Sequence, residues 1–510
     1  MRSSTARALG LTASLVALAV ATSPAPAQDL RGGRLRVAIT ADINDFDPQA
    51  FSTVNFPTIK NLYDSLLEYT ADGKAVPSLA ESWTIAPDSK SVTLKLRADV
   101  KFSSGAPFNA EAVAATLRKA ADPTAGKNVY ATMGIVQDWT VVDPHTIRIN
   151  LKAPAPERQI TDLLQFLSII DPAAIETVVT RPLGSGAYVL AERVVGQRVR
   201  LTANPHYWRQ GEPLSNEVVL TVFDNDAAAS AALESGAVDL VYGGTGRSAV
   251  RLRNAGFQVI DGPGPLVQVF RINSTRGPFR NARFRQAFNH LMDRANILRV
   301  GYAGLGTVTA LPWAPASPAA DPSYNQRYAF DLDKAKALLA QSGLSAAEQN
   351  GWKLLVNGGD ETSTVISQIV QSTLRRVGIN IELELKQGAE FIDALLKGNF
   401  DAVFGAVGNV QKFPSRLTTN SIYRTTNNPI LGNPNPHPDY VAAIARVDAA
   451  LTPADAKAAY ENLNRVLVED AFGIATNSYP IGLIVAAKNV GGFTPDIDNL
   501  FVARTVGFRR

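Results

Sequence analysis

The chain contains no cysteine. Disulfides, thiolate metal sites, a cysteine nucleophile and a lipid-modified N-terminal cysteine are all excluded by that one absence. Histidine is scarce as well. His145, His206, His290 and His437 are the whole set, and no two fall at the helical spacing a zinc pair needs. No Gly-x-Ser-x-Gly elbow, phosphate-binding Walker loop or dinucleotide Gly-x-Gly-x-x-Gly follows a strand pattern. Gly184-Ser185-Gly186 is too short for a phosphate cradle and reads as a tight turn. No residue is assigned a catalytic role, no cofactor or metal is assigned, and the expectation is a protein that is not an enzyme.

An excess of one charge is also missing. The formal net charge is +4, from 50 Lys and Arg against 46 Asp and Glu. Arg2 and Arg7 are the only charged residues before position 28; without them 48 bases face 46 acids, a net of +2. That balance provides little drive toward nucleic acid or an anionic membrane, and no nucleic-acid partner is expected.

Long apolar runs are absent after the N-terminus. There, Arg2 and Arg7 precede an apolar stretch of 11 residues, Leu11 to Ala21, and then Ala25-Pro26-Ala27. A basic start, a short apolar core and small residues before a cleavage point are the parts of a secretory signal. A spanning helix needs about 20 apolar residues. Residues 1–27 are therefore expected to be removed, leaving a soluble, exported protein with no lipid anchor, resident in the periplasm.

What is present is the composition of an ordinary globular chain, 46% apolar and 19% charged, long enough for several domain-sized units. Alternation predicts strands at 34–40, 197–203, 217–223 and 237–242. Residues 56–69 carry Ile59, Leu62, Tyr63, Leu66 and Leu67 at helical spacing. Hairpins are expected over 81–102, around Pro87-Asp88-Ser89-Lys90, and over 140–151. Asp226 is expected to cap an alanine-rich helix. Residues 281–299 read as one helix, 303–328 as a long loop, 331–343 as a helix closed by glycine, 437–472 as helical and 473–486 as strand-like. WKLLVNGG, STVISQIVQSTLRRVG and INIELEL form a strand–helix–strand unit, and the class is α/β.

Residues 101–117, KFSSGAPFNAEAVAATL, join a strand to a helix. Gly105 permits the turn, Pro107 keeps Ala106 from helical conformation, and Asn109 suits the N-cap with Glu111 in the first turn. The larger run LAESWTIAPDSKSVTLKLRADVKFSSGAPFNAEAVAATL resembles the signature of the family 5 extracytoplasmic solute-binding proteins, the peptide/nickel-type receptors of ABC importers. RPLGSGAYVL, LTANPHYW, FRINSTRGPFRNARFRQAFNHLMDRANIL, YAFDLDKAKALLAQSG and VGINIELEL resemble further segments of that family, in the same order, so that the likeness runs from about residue 34 to 510.

The resemblance implies a two-lobed periplasmic binding protein of class II, similar to the large cluster C proteins, with hinge strands and an extra subdomain in lobe I. Lobe I would be residues 28–265 with 482–510 returning to it, and lobe II residues 268–480. Strands near 266–272 and 474–482 would form the hinge. The protein would act as a monomer that captures a small solute and presents it to an ABC permease of the inner membrane. A periplasmic hydrolase, or a chaperone or chemosensory module on the same scaffold, is the alternative.

In peptide-binding relatives of this kind, a tryptophan strand followed by an aspartate meets the peptide amino terminus. The matching stretch here, AVFGAVGNVQKFPSRLTTN, has neither, and offers Lys412 and Arg416 instead. Such cations repel an ammonium and favour an anionic or zwitterionic solute, such as a modified peptide, an opine-like conjugate or a metal chelate. The ligand-binding candidates are Phe51, Asn55 and Phe56 at the lobe I rim, Trp313 in the long loop, Asn357 at a strand end, and Lys412, Phe413, Arg416 and Tyr423 on the divergent stretch. Trp313 fits core packing equally well, and Lys412 and Arg416 fit solvent-facing positions. His437 reads as a surface histidine rather than a chelate contact.

Overall fold

A computed structural model of the chain describes residues 31–50, 53–260, 262, 264–432, 435–480 and 482–509. The expected signal segment 1–27 and Phe51 lie outside the described residues. Among the described residues no helix is long and apolar enough to cross a membrane.

Three main sheets carry the architecture. The first has seven strands in the spatial order Gln258–Ile260, Ile484–Ala486, Leu240–Tyr242, Arg34–Ile39, Glu217–Val222, Arg198–Ala203 and Tyr188–Val194. Arg34–Ile39 is its parallel centre, flanked by Glu217–Val222 and Leu240–Tyr242. Leu35 and Val37 are fully buried there, as a central strand requires. The second sheet is a four-stranded antiparallel layer, Ala80–Ile85, Ser91–Leu96, Thr146–Leu151 and Val136–Asp143. Its apolar face, with Val92, Leu94, Ile147 and Ile149, packs on Val113 and Leu117 of the helix Ala110–Ala121. Together the two sheets make the first lobe, the smaller one as an added subdomain.

The third sheet forms the second lobe, in the order Thr307–Val308, Gly473–Tyr479, Leu266–Ile272, Ala402–Val407, Lys353–Asn357 and Glu382–Lys386. Both its faces are covered. Val267 and Val269 belong to one apolar cluster, and Phe270 and Ile272 to the other. The chain passes between the lobes after Ile260 and again after Tyr479, where Leu266–Ile272 and Gly473–Tyr479 lie side by side, antiparallel.

The stretch 101–117 is scaffold of the subdomain. Gly105 has φ +88, a conformation costly for other residues, and closes the turn by donating to the Phe102 carbonyl. The Asn109 side chain accepts from the Ala112 amide as the helix N-cap. Phe102 and Phe108 meet edge to face at 6.1 Å in the core below.

Several expectations change. The helix predicted over 56–69 ends at Leu62, and Leu67–Tyr69 is a strand paired with Ala75–Pro77. The Leu62 carbonyl is taken by the Gly186 amide instead of a further helical turn. Gly186 must be glycine for this, since a Cβ there would lie 2.4 Å from the Leu62 carbonyl carbon. Asn225, not Asp226, caps the helix Asp226–Glu234. The region 281–299 divides into Ala282–His290 and Arg294–Gly301, with Asp293 capping the second helix. The loop 303–328 includes the edge strand Thr307–Val308 and the short helix Ser323–Arg327. The helical stretch 437–472 is two helices, Pro438–Asp448 and Pro453–Asp470, the second opening on a proline. Residues 473–486 are not one strand, because they contribute Gly473–Tyr479 to one lobe and Ile484–Ala486 to the other.

Candidate functional site

A cavity of about 960 Å³ lies between the lobes. The first lobe supplies the starts of two helices, Asp226–Glu234 and Gly246–Asn254, capped by Asn225 and Thr245. The second lobe supplies the start of Glu361–Arg375, capped by Asp360, and the ends of the strands Leu266–Ile272 and Ala402–Val407. Its apolar wall includes Tyr302 and Tyr479, whose rings are 4.8 Å apart, and Phe391 and Phe404. This is the size and mixture of a small-molecule site. The lobes are closed around it. Gly246 lies against the backbone of Tyr302, and Arg247 reaches Glu361 across the boundary at 3.1 Å.

The carboxylates of the cavity are already engaged. Asp226 accepts from the hydroxyls of Thr245 and Ser248, and Asp360 accepts from the amides of Thr362 and Ser363. Arg271 differs. It projects from Leu266–Ile272, and Nη2 donates to the Ala406 carbonyl at 2.6 Å, while Nε is buried with no hydrogen-bond partner. No carboxylate among the described residues forms an ion pair with it. Burial pushes its guanidinium below the ordinary value, and the nearby Tyr423 offsets this only in part. Gly405 faces the guanidinium, and a Cβ there would stand 3.5 Å from Nη2, an ordinary contact distance. Arginine stays charged even so. A half-buried cation at the wall of a cavity, with donors unspent, is suited to a carboxylate or other oxyanion.

Of the residues singled out in the sequence, Asn357 lines this cavity, and its side chain accepts from the Gly359 amide at 3.1 Å. The other described candidates lie elsewhere. Asn55 is buried and ties the Asn44 amide to Asp45, and Phe56 begins the helix Phe56–Leu62 as a buried residue. Trp313 is a core residue whose indole donates to Asn464 at 2.6 Å. Tyr423 is fully buried against Phe472. Phe413 packs in the second-lobe core, and its amide donates to Asp162 of the first lobe at 2.6 Å. Arg416 donates to Thr132 at 2.9 Å and stacks on Phe166 at 5.1 Å.

Lys412 does not face solvent. It is fully buried between the lobes, 2.8 Å from Asp498, so its charge is spent on the protein itself. His437 is buried as well, 3.1 Å from the Ser274 hydroxyl and 3.3 Å from Asp470, because Phe472 packs over its ring. Arg271 escaped the sequence reading, although a signal existed. In LVQVFRI it is the one charge inside a central strand that is apolar but for Gln268, an expensive place for a cation without a purpose.

Two lobes on separate sheets, two strands crossing between them and a cavity enclosed at their boundary define a solute-binding protein that closes on what it holds. Residues 74–428 match the profile of the bacterial extracellular solute-binding proteins, family 5 (middle region), and the chain belongs to that family, the substrate-binding proteins of ABC importers. Among curated relatives it is 28% identical over 375 residues to the glutathione-binding protein GsiB of Salmonella choleraesuis, covering 72% of each chain. It is 26% identical over 391 residues to the nickel-binding periplasmic protein of Escherichia coli, covering 72% of this chain and 74% of that one. Among solved structures, NikA from Brucella suis in complex with Fe(III)-EDTA superposes with a TM-score of 0.79 at 26% identity, over 93% of this chain and 98% of that one. HbpA2 from Haemophilus parasuis superposes with a TM-score of 0.80 at 22% identity, over 94% and 100%, which speaks for the fold.

Proposed function

We propose that the protein is the periplasmic substrate-binding component of an importer for a small, carboxylate-bearing solute of peptide-like size, which it delivers to an ABC permease as a monomer without chemical change. Lobe I is taken as 28–265 with 482–510, and lobe II as 268–480, after removal of 1–27. The observation that carries the ligand reading is Arg271. Its guanidinium lines the 960 Å³ cavity and lacks an acidic partner among the described residues. A solute carboxylate would supply that partner and would touch both lobes, which is what drives closure.

Glutathione, a tripeptide with two carboxylates, is the first solute to try, since a relative is named for binding it. A carboxylated nickel chelate is the second. Among the described residues no group of three or more His, Cys, Asp or Glu is placed to hold a bare metal ion.

Titration calorimetry on refolded, ligand-stripped protein tests this. Carboxylate solutes should bind, and their amidated counterparts should bind at least about tenfold more weakly, the worth of a charge-assisted hydrogen bond. Equal binding of both forms, or turnover of the solute, would sink the reading.

A further inference from the structure

The other contact between the lobes holds a chemistry the cavity does not. Lys412 follows the second-lobe strand Ala402–Val407, yet its ammonium is buried among first-lobe side chains. Nζ lies 2.8 Å from Asp498 Oδ1 and donates to Asp498 Oδ2 at 3.0 Å and to Gln165 Oε1 at 3.1 Å. It also stands 5.2 Å from the centre of the Tyr69 ring and 5.4 Å from that of Phe166. A carboxylate, an amide oxygen and two aromatic faces are the complement of a primary ammonium, which has three donors and a point charge.

This box is assembled within the first lobe. Gln165 Nε2 donates to Asp498 Oδ2 at 3.2 Å, which aims its oxygen at the ammonium. The Tyr69 hydroxyl donates to Asp162 at 2.8 Å and lies 2.7 Å from the Thr161 hydroxyl, and Arg158 covers that ring at 4.1 Å. Among the described residues of the second lobe, only Gln411, which donates to Asp498 Oδ1 at 2.5 Å, and Lys412 itself reach the carboxylate. When the lobes part, Lys412 leaves and the box keeps a carboxylate beside two rings, with Lys60 of the first lobe still attracting it. A separate first-lobe cavity of about 250 Å³ shares Tyr69 and Gln165 with it.

We propose that Tyr69, Gln165, Phe166 and Asp498 form an ammonium-binding site of the first lobe, and that Lys412 is its tethered occupant in the closed protein. It deepens the function proposed above and rests on it for the opening and closing of the lobes. The Lys412 ammonium holds the place that a solute's amine would otherwise take, so free primary amines oppose closure and the captured solute is recognised by its carboxylate.

The experiment uses the mature chain, whose lack of cysteine allows one spin label to be introduced in each lobe. Lys412→Ala removes the atoms from Cγ to Nζ, the outline of n-propylammonium. The variant should populate an open interlobe distance. Millimolar n-propylammonium should restore the closed distance, n-propanol should not, and Lys412→Ala/Asp498→Asn should not respond. Equal rescue by propanol, or equal response of the double variant, overturns the proposal. Lys412→Met fills the same volume without charge. An open Lys412→Met protein supports the ammonium role, and one as closed as wild type overturns it, including where Lys412→Ala fails to fold. Adding Arg271→Gln to Lys412→Ala should leave the propylammonium response intact, so carboxylate-solute binding that persists at full strength there counts against the cleft reading alone.

Discussion

Arg271 and Lys412 are both carried by the second lobe to the boundary with the first, and they end in opposite states. Lys412 is fully buried with a carboxylate at 2.8 Å, an amide oxygen and two rings around it. Arg271 borders the cavity between the lobes, donates to one backbone carbonyl and has an Nε with no partner. The difference separates a charge that completes the protein from one left for something the protein holds. Buried cations are tolerated when paired and are destabilising when not. An unpaired one facing space large enough for a solute is therefore a better guide to the ligand than a paired one on a more divergent stretch of sequence.

The largest expected effect tests the paired side. Removing one partner of a buried ion pair costs about 3–5 kcal/mol. Asp498→Ala strands the Lys412 ammonium in the closed protein, so it should shift the lobes toward the open form and lower the melting temperature. Small-angle scattering of ligand-free protein should report a larger radius of gyration. An unchanged radius would mean that Lys412 finds another acceptor, and the contrast with Arg271 would lose its sharper half.

Arg271→Gln tests the other side. Charged hydrogen bonds contribute about 1.5–3 kcal/mol, so affinity for a carboxylate solute should fall by roughly 10- to 100-fold. The melting temperature of the empty protein should hold or rise, because an uncompensated buried charge is removed. A loss of stability comparable to that of Asp498→Ala would make Arg271 structural after all.

A third buried charge takes another course. Asp64 lines the small first-lobe cavity and accepts from Ser185 at 3.0 Å and from the Trp208 indole at 2.9 Å, with no ion pair among the described residues. Burial, with Glu68 adding to it, pushes its carboxyl from 3.8 up to about 6, against the Trp208 hydrogen bond and the Arg504 and Arg209 guanidinium groups. Asp64 can shed its charge by taking a proton, as Arg271 cannot. The folded protein binds that proton more tightly than the unfolded chain. The stabilisation is full below pH 3.8 and is lost as pH rises through about 6. Asp64→Asn has no such titration, so between pH 4 and 7 wild type should lose on the order of 3 kcal/mol relative to it. Urea unfolding of both proteins at the two pH values measures the difference. A constant gap would mean that Asp64 stays ionised in the folded state.

These contrasts also mark how far the sequence was readable. Alternation and turn chemistry revealed the strands and hairpins, because those depend on neighbours along the chain, as with Asn109 capping its helix and the hairpin around Pro87-Asp88-Ser89-Lys90. The helix expected through residue 69 failed because the Leu62 carbonyl is claimed by Gly186, more than a hundred residues away. The site was less legible for the same reason. Asn357 was singled out because strand ends face clefts, and it lines the cavity. Lys412 was rightly noticed as unusual, yet whether it meets solvent, a solute or Asp498 depends on the C-terminal tail folding back into the first lobe, which no local pattern records.

The smallest effect is expected at the lobes' third meeting point. Arg247 and Glu361 pair at 3.1 Å across the cavity mouth, but their side chains are 75% and 73% exposed. Water already solvates both groups, so their attraction competes with hydration and with the entropy of holding two long side chains. Arg247→Ala should change solute affinity by less than about twofold, and half-molar salt should erase even that. A tenfold loss that persists in salt would mean that Arg247 reaches the solute rather than Glu361, and that the cavity holds a second anion-binding arm opposite Arg271.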